Sequence, residues 1–144
     1  MITVYTDGSC SGNPGPGGWG VFIMENPPDG ERELFGGDRE TTNNRMEMQA
    51  VIEALKATPP SQALTLYTDS QYVKNGVTQW IHSWKKNGWK TASKKPVKNK
   101  DLWMEMDQLR EGREIDWRWV KGHAGDEGNE RADELARQGS LTAT

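Results

Sequence analysis

Residues 2–25 read Ile2-Thr3-Val4-Tyr5-Thr6-Asp7-Gly8-Ser9-Cys10-Ser11-Gly12-Asn13-Pro14-Gly15-Pro16-Gly17-Gly18-Trp19-Gly20-Val21-Phe22-Ile23-Met24-Glu25. The β-branched and aromatic run from Ile2 to Cys10 predicts a strand. Six Gly and Pro residues between Ser11 and Gly18 forbid a helix and predict a tight turn, after which Trp19–Glu25 reads as a second strand. A further turn at Asn26-Pro27-Pro28-Asp29-Gly30 leads to a third strand at Arg32–Asp38, so the chain opens as an antiparallel meander. Thr41-Thr42-Asn43-Asn44 are helix-start residues, and a helix is expected over Asn43–Lys56, ended by Pro59-Pro60 before a fourth strand at Leu64–Thr68. Short helices are expected at Tyr72–Val77, weakened by Gly76, and at Trp80–Trp84, and Leu102, Met106 and Leu109 mark another. Ile115, Trp117 and Trp119 alternate with Asp116 and Arg118 as a fifth strand, and a loop from Lys121 to Gly128 leads to a last helix over Asn129–Arg137. The order predicts an α/β fold, a mixed five-stranded sheet with helices packed on it. A length of 144 residues suits one domain, 1–144, with a single core.

Within this frame four acids stand out. Asp7 closes the first strand's apolar run, and Asp69 ends Leu64-Thr65-Leu66-Tyr67-Thr68-Asp69. Both are expected at carboxyl ends of buried strands, the edge where ligands bind in open α/β sheets. Each has a plainer reading: Asp7-Gly8 as a turn pair, and Asp69 as the cap of the following helix. Val51, Ala54 and Leu55 fall four, seven and eight residues after Glu47, which places this carboxylate on the apolar stripe of its helix. A buried carboxylate costs several kcal/mol unless compensated, by a salt bridge such as one to Arg45 or by a metal. Asp133 lies at the edge of the face made by Ala132, Leu135 and Ala136, where a solvated charge would read the same way. Together the four form a candidate all-carboxylate site, which suits hard cations such as magnesium or manganese, and the lack of a His or Cys cluster speaks against zinc.

Net charge is −3, but it is unevenly spread. Lysines 74, 85, 86, 90, 94, 95, 98 and 100 fall in a segment without a single acid, a local +8 that leaves −11 on the rest. Trp80, Trp84 and Trp89 are interleaved with them, the mixture of cations and aromatic planes that tracks a nucleic-acid backbone. No stretch approaches the ~20 apolar residues of a membrane span. The amino terminus lacks a signal-peptide pattern, and the single Cys10 forms no internal disulfide, so a cytoplasmic protein is expected.

Several motifs now coincide in order and spacing: Thr6-Asp7-Gly8-Ser9-Cys10 with Gly12-Asn13-Pro14-Gly15, then Thr41-Thr42-Asn43-Asn44-Arg45-Met46-Glu47, Thr68-Asp69-Ser70-Gln71-Tyr72-Val73, Trp80 to Lys90, Lys94 to Asn99, Trp119-Val120-Lys121-Gly122-His123-Ala124-Gly125, and Asn129 to Ala136. Over nearly its whole length the chain resembles bacterial type 1 ribonuclease H, the ribonuclease HI family. The resemblance implies a ribonuclease H-like fold, with three antiparallel strands followed by two parallel ones and helices on both faces. It implies hydrolysis of the RNA strand of RNA–DNA hybrids by two Mg2+ ions, with Mn2+ as a substitute, leaving 3′-hydroxyl and 5′-phosphate ends. By position Asp7, Glu47, Asp69 and Asp133 match the family's metal-binding acids, and His123 its loop histidine, which would assist proton transfer or product departure. Cys10 (through its backbone), Asn13, Asn43, Asn44 and Gln71 would line the minor groove, with Glu47 also near a 2′-hydroxyl. Thr42 and Asn99 would meet DNA phosphates and Trp80 a deoxyribose, and Lys85, Lys86, Lys90, Lys94, Lys95 and Lys98 match the basic protrusion, which supplies salt-dependent affinity. A monomer that binds hybrid and no membrane is expected. The chain departs from the pattern in its short carboxyl terminus and in Asp126-Glu127-Gly128, which make the histidine loop more acidic.

Overall fold

A computed structural model of the chain describes residues 2–25, 30–91, 93–120 and 127–143. Strand β1 (Ile2–Cys10) pairs antiparallel with β2 (Gly15–Glu25), which pairs antiparallel with β3 (Gly30–Thr41). Helix α1 (Asn43–Ala57) carries the chain back to β4 (Leu64–Thr68), which lies parallel to β1, and β5 (Ile115–Trp119) lies parallel to β4. The sheet order is β3-β2-β1-β4-β5, three antiparallel strands continued by two parallel ones. Between β4 and β5 run α2 (Gln71–Asn75), a wide π-helical turn (Gly76–Trp80), α3 (Ile81–Lys86) and α4 (Lys100–Arg110), and α5 (Glu127–Thr142) closes the fold.

Strand alternation distributes the helices over both faces. Ile2, Val4, Val21 and Ile23 are buried with Met48, Val51, Ile52 and Leu55 of α1, and Trp103 and Met106 of α4 complete this core. On the opposite face Gly18 and Gly20 lie against α5. A Cβ at Gly18 would stand 2.2 Å from the Ser140 nitrogen, so the helix rests directly on the strand backbone.

That close approach corrects two expectations. The predicted turn over Ser11–Gly18 is shorter than its composition suggests, because from Gly15 onward the residues belong to β2, where Gly17 is crowded by Ser9 and Thr41 of the neighbouring strands and Gly18 by α5. The last helix is longer than Asn129–Arg137, since Gly139 packs on Gly36 of β3 and does not end it. The two short helices expected at Tyr72–Val77 and Trp80–Trp84 form one run joined by the wide turn. Gly76 is no weak point there, because its bare Cα faces the Trp103 ring, where a Cβ would be 2.0 Å from the nearest ring atom. No described helix is long and apolar enough to cross a membrane.

Candidate active site

The parallel pairing of β1 with β4 ends at Thr6 and Thr68, so Asp7 and Asp69 stand one residue beyond that pair, side by side at one edge of the sheet. Their surroundings pin the backbone: the Thr6 hydroxyl donates to Tyr67 O at 3.1 Å, Trp119 Nε1 donates to Asp69 O at 3.1 Å, and the Val120 N–H donates to Thr68 O at 2.9 Å. Asp69 does not cap α2. Ser70 does, its hydroxyl accepting from the Val73 N–H at 3.1 Å, which releases the Asp69 carboxylate. Nor is Asp7-Gly8 a turn, since Gly8 pairs with Trp19 inside the β1–β2 ladder. Its missing Cβ would fall 2.4 Å from the Glu47 nitrogen, so glycine at this position lets α1 come down beside Asp7 and brings Glu47 with it.

Glu47 is buried, as its place on the apolar stripe predicts, and Asp7 is equally so. The salt bridge to Arg45 does not form, because Arg45 is held by Asp101 at 2.7 Å. Ligand oxygens of Asp7, Glu47 and Asp69 all lie within 4.8 Å of one another. Asp7 Oδ1 accepts the Gly8 N–H at 2.9 Å, while Asp7 Oδ2, Glu47 Oε1 and Asp69 Oδ1 are buried and have no hydrogen-bond partner among the described residues. Burial, then the negative charge of Asp69, pushes the Asp7 carboxyl up to about 8. Burial, then Asp7 and Asp69, holds Glu47 well above the ordinary carboxylate range. Neither carries an ion pair among the described residues. Desolvated like charges raise each other's proton affinity in this way, and a cation removes the conflict. Orphaned oxygens and an all-carboxylate donor set fit a hard divalent ion.

Asp133 stands apart from these three. It lies on α5 beside the Ala132 carbonyl that meets Gly20, the cross-strand partner of Asp7. Arg137, one turn on, pairs with it at 2.8 Å. His123 lies outside the described residues.

The candidate substrate residues fall on two neighbouring surfaces. Asn13 accepts the Asn43 N–H at 3.1 Å, tying the glycine-rich turn to the start of α1, and the Cys10 thiol lies 2.8 Å from Gly12 O and 3.4 Å from Thr41 O in the same corner. Thr42 caps α1 through the Arg45 N–H, with Asn44 half-buried and Asn43 and Gln71 exposed. Trp80 packs on Tyr72 and Trp84 along a cleft of about 420 Å3 that Lys98 also lines. Lys86, Lys90, Lys94 and Lys95 are exposed. Lys85 is less available than its neighbours, for its ammonium is 3.1 Å from Asp107. Sequence reasoning passed over Tyr72 and the Arg45–Asp101 pair, which links positions 56 apart and leaves no local signal.

The family model RNase H matches residues 1–141. Ribonuclease H of Hyphomonas neptunium is 64% identical over 140 residues, covering 97% of this chain and 92% of the relative. Among solved structures, LC9-RNase H1, described as a type 1 RNase H with the type 2 active-site motif, aligns with a TM-score of 0.88 at 39% identity over 99% of this chain and 73% of that one. LC11-RNase H1, solved in complex with an RNA/DNA hybrid, aligns with a TM-score of 0.74 at 25% identity over 99% of both chains. With that likeness over nearly its full length, and with a carboxylate cluster suited to divalent metal at the sheet edge, the chain belongs to the RNase H family of endoribonucleases.

Proposed function

We propose that this chain is an endonuclease that hydrolyses the RNA strand of RNA–DNA hybrids with two divalent cations, Mg2+ or in its place Mn2+, and leaves 3′-hydroxyl and 5′-phosphate ends. The observation that carries the reading is the cluster of Asp7, Glu47 and Asp69, each with a buried oxygen lacking a hydrogen-bond partner, in a member of this family. Bound there, the cations would supply Lewis-acid stabilisation of charge at phosphorus and lower the pKa of water.

The chain's own contribution is prior organisation. Strand register and the Gly8 contact hold three carboxylates together before any ligand arrives, and the Gly8 N–H fixes the rotation of Asp7. Asp7 is the central ligand, Glu47 and Asp69 flank it, and Asp133 extends the set from α5. His123 is assigned to proton transfer or product departure.

Substrate choice follows from the surfaces beside the cluster. Cys10, Asn13, Asn43, Asn44 and Gln71 are assigned to the minor groove, where 2′-hydroxyls distinguish RNA from DNA. Thr42 and Asn99 are assigned to DNA phosphates, Trp80 to a deoxyribose, and Lys85, Lys86, Lys90, Lys94, Lys95 and Lys98 to salt-dependent attraction. Residues 1–144 act in this reading as one catalytic domain, monomeric and cytoplasmic. The test is cleavage of end-labelled RNA as hybrid, duplex and single strand, alongside duplex DNA, in Mg2+ and in EDTA. Magnesium-dependent cutting of the hybrid's RNA alone is expected; cutting of DNA, or cutting that survives EDTA, would overturn the assignment.

A further inference from the structure

Asn99 immediately precedes α4, where an asparagine ordinarily turns its side-chain oxygen onto the free N–H groups of the first helical turn. Here the amide makes no such bond, and the residue sits in the left-handed region at φ 60°. Its Oδ1 instead accepts from Arg45 Nη1 at 3.2 Å. Arg45 is itself clamped by both oxygens of Asp101, at 3.0 and 2.7 Å. The Asn99 Nδ2 donates to the Tyr72 hydroxyl at 3.1 Å, and that hydroxyl also accepts from Nε1 of buried Trp103 at 3.3 Å. Turning the amide over would set its NH2 group against the guanidinium, so the network admits one orientation.

The unspent hydrogens can then be counted. Asn99 Nδ2 has two protons and Tyr72 takes one. The Tyr72 oxygen already accepts twice, so its own proton is left to donate. Two donors therefore stand side by side, one residue along the chain from Lys98, a combination that suits an anionic oxygen. The Tyr72 ring meanwhile lines the cleft shared with Trp80 and Lys98. A helix cap is forgone and an uncommon backbone conformation kept, the kind of local cost that marks functional positions.

We propose that Arg45 and Tyr72 are positioning residues that lock the Asn99 amide as a donor to one phosphate oxygen of the DNA strand, with the Tyr72 hydroxyl as a second donor beside it. The proposal rests on the hybrid reading above and adds to it the device that fixes which end of the amide meets the substrate. Asp101 acts one step further back, by holding Arg45.

The test uses the full chain and hybrids whose DNA strand carries a single neutral methylphosphonate, moved one position at a time. For the wild type, one position is expected to raise KM about fivefold, the worth of one net hydrogen bond. Tyr72→Phe and Arg45→Lys are each expected to raise KM for the unmodified hybrid by about the same factor, with kcat within about twofold. In both variants the methylphosphonate at that position should no longer matter. A purely structural role would lower the melting temperature, measured in parallel, and leave the sensitivity to that phosphate intact, which would overturn the proposal. Should Tyr72→Phe melt below the assay temperature, Arg45→Lys decides alone. A wild type that cuts no hybrid contradicts the functional reading; one that cuts hybrid, but shows no sensitive DNA phosphate or one unaffected by either variant, overturns the positioning role only.

Discussion

Asp7 and Glu47 show how far single residues could be read before any fold was known. Helical spacing places Glu47 among apolar neighbours, and it is buried there; strand patterning places Asp7 and Asp69 at strand ends, and although β1 runs on to Cys10, both stand just beyond the last β1–β4 pair. What spacing could not distinguish was the identity of each partner. The cap of α2 is Ser70 and the partner of Arg45 is Asp101, and both exchanges leave site carboxylates without competing bonds. The electrostatic cost of that freedom can be measured. With its folded-state value at about 8 against an ordinary 3.8, Asp7 keeps a proton in the metal-free fold that it loses on unfolding. Folded protein thus binds more protons than unfolded protein between those values, and metal-free stability should fall as pH rises from about 4 to 8. Asp7→Asn should remove much of this slope and raise the melting temperature in EDTA at pH 8 by ~5–10 °C. Added Mg2+ should narrow the gap by stabilising the wild type. Equal melting temperatures in EDTA at pH 8 would show that the cluster carries no such repulsion.

At the scale of elements, β1, β4 and β5 were legible to the residue, because each is a short run bounded by clear turn or helix signals. The errors share one physical cause. Gly17, Gly18, Gly76 and Gly139 look like breaks in a single sequence, yet they lie inside strands and helices at points where another element touches the backbone. Local propensity cannot register a partner that arrives from elsewhere in the chain. Gly76 is the sharpest case, since its contact is with Trp103, which is fully buried. Gly76→Ala would ordinarily favour a helix, but here it forces the indole to move. The substitution is expected to destabilise the fold by about 2 kcal/mol or more, as overpacking does. Denaturant unfolding of the two proteins checks this; an unchanged or raised midpoint would mean that the Trp103 packing yields without cost.

For the whole molecule, the charge division seen in the sequence becomes a division of surface. The lysine-rich segment supplies Lys98 to the aromatic cleft and leaves Lys86, Lys90, Lys94 and Lys95 exposed, while Asp7, Glu47 and Asp69 gather at the sheet edge. Net charge alone would have suggested a protein averse to nucleic acid, and the segment count corrects that. Lys85 shows the limit of the count, being paired with Asp107. Replacing Lys86, Lys94 and Lys95 by Ala should weaken hybrid binding and reduce the slope of log K against log salt by roughly 2 to 3. Lys85→Ala should reduce it by less than any one of them. An unaltered slope in the triple variant would make that face merely solvated. The central claim, that the orphaned carboxylates are a metal site for cleavage and not a device for binding, is tested most directly by Asp69→Asn. Its cleavage rate and its affinity for the same hybrid would be measured in Mg2+ beside the wild type. Loss of cleavage by at least about a hundredfold with affinity within about threefold is the result this account predicts; cleavage near the wild-type rate would contradict it.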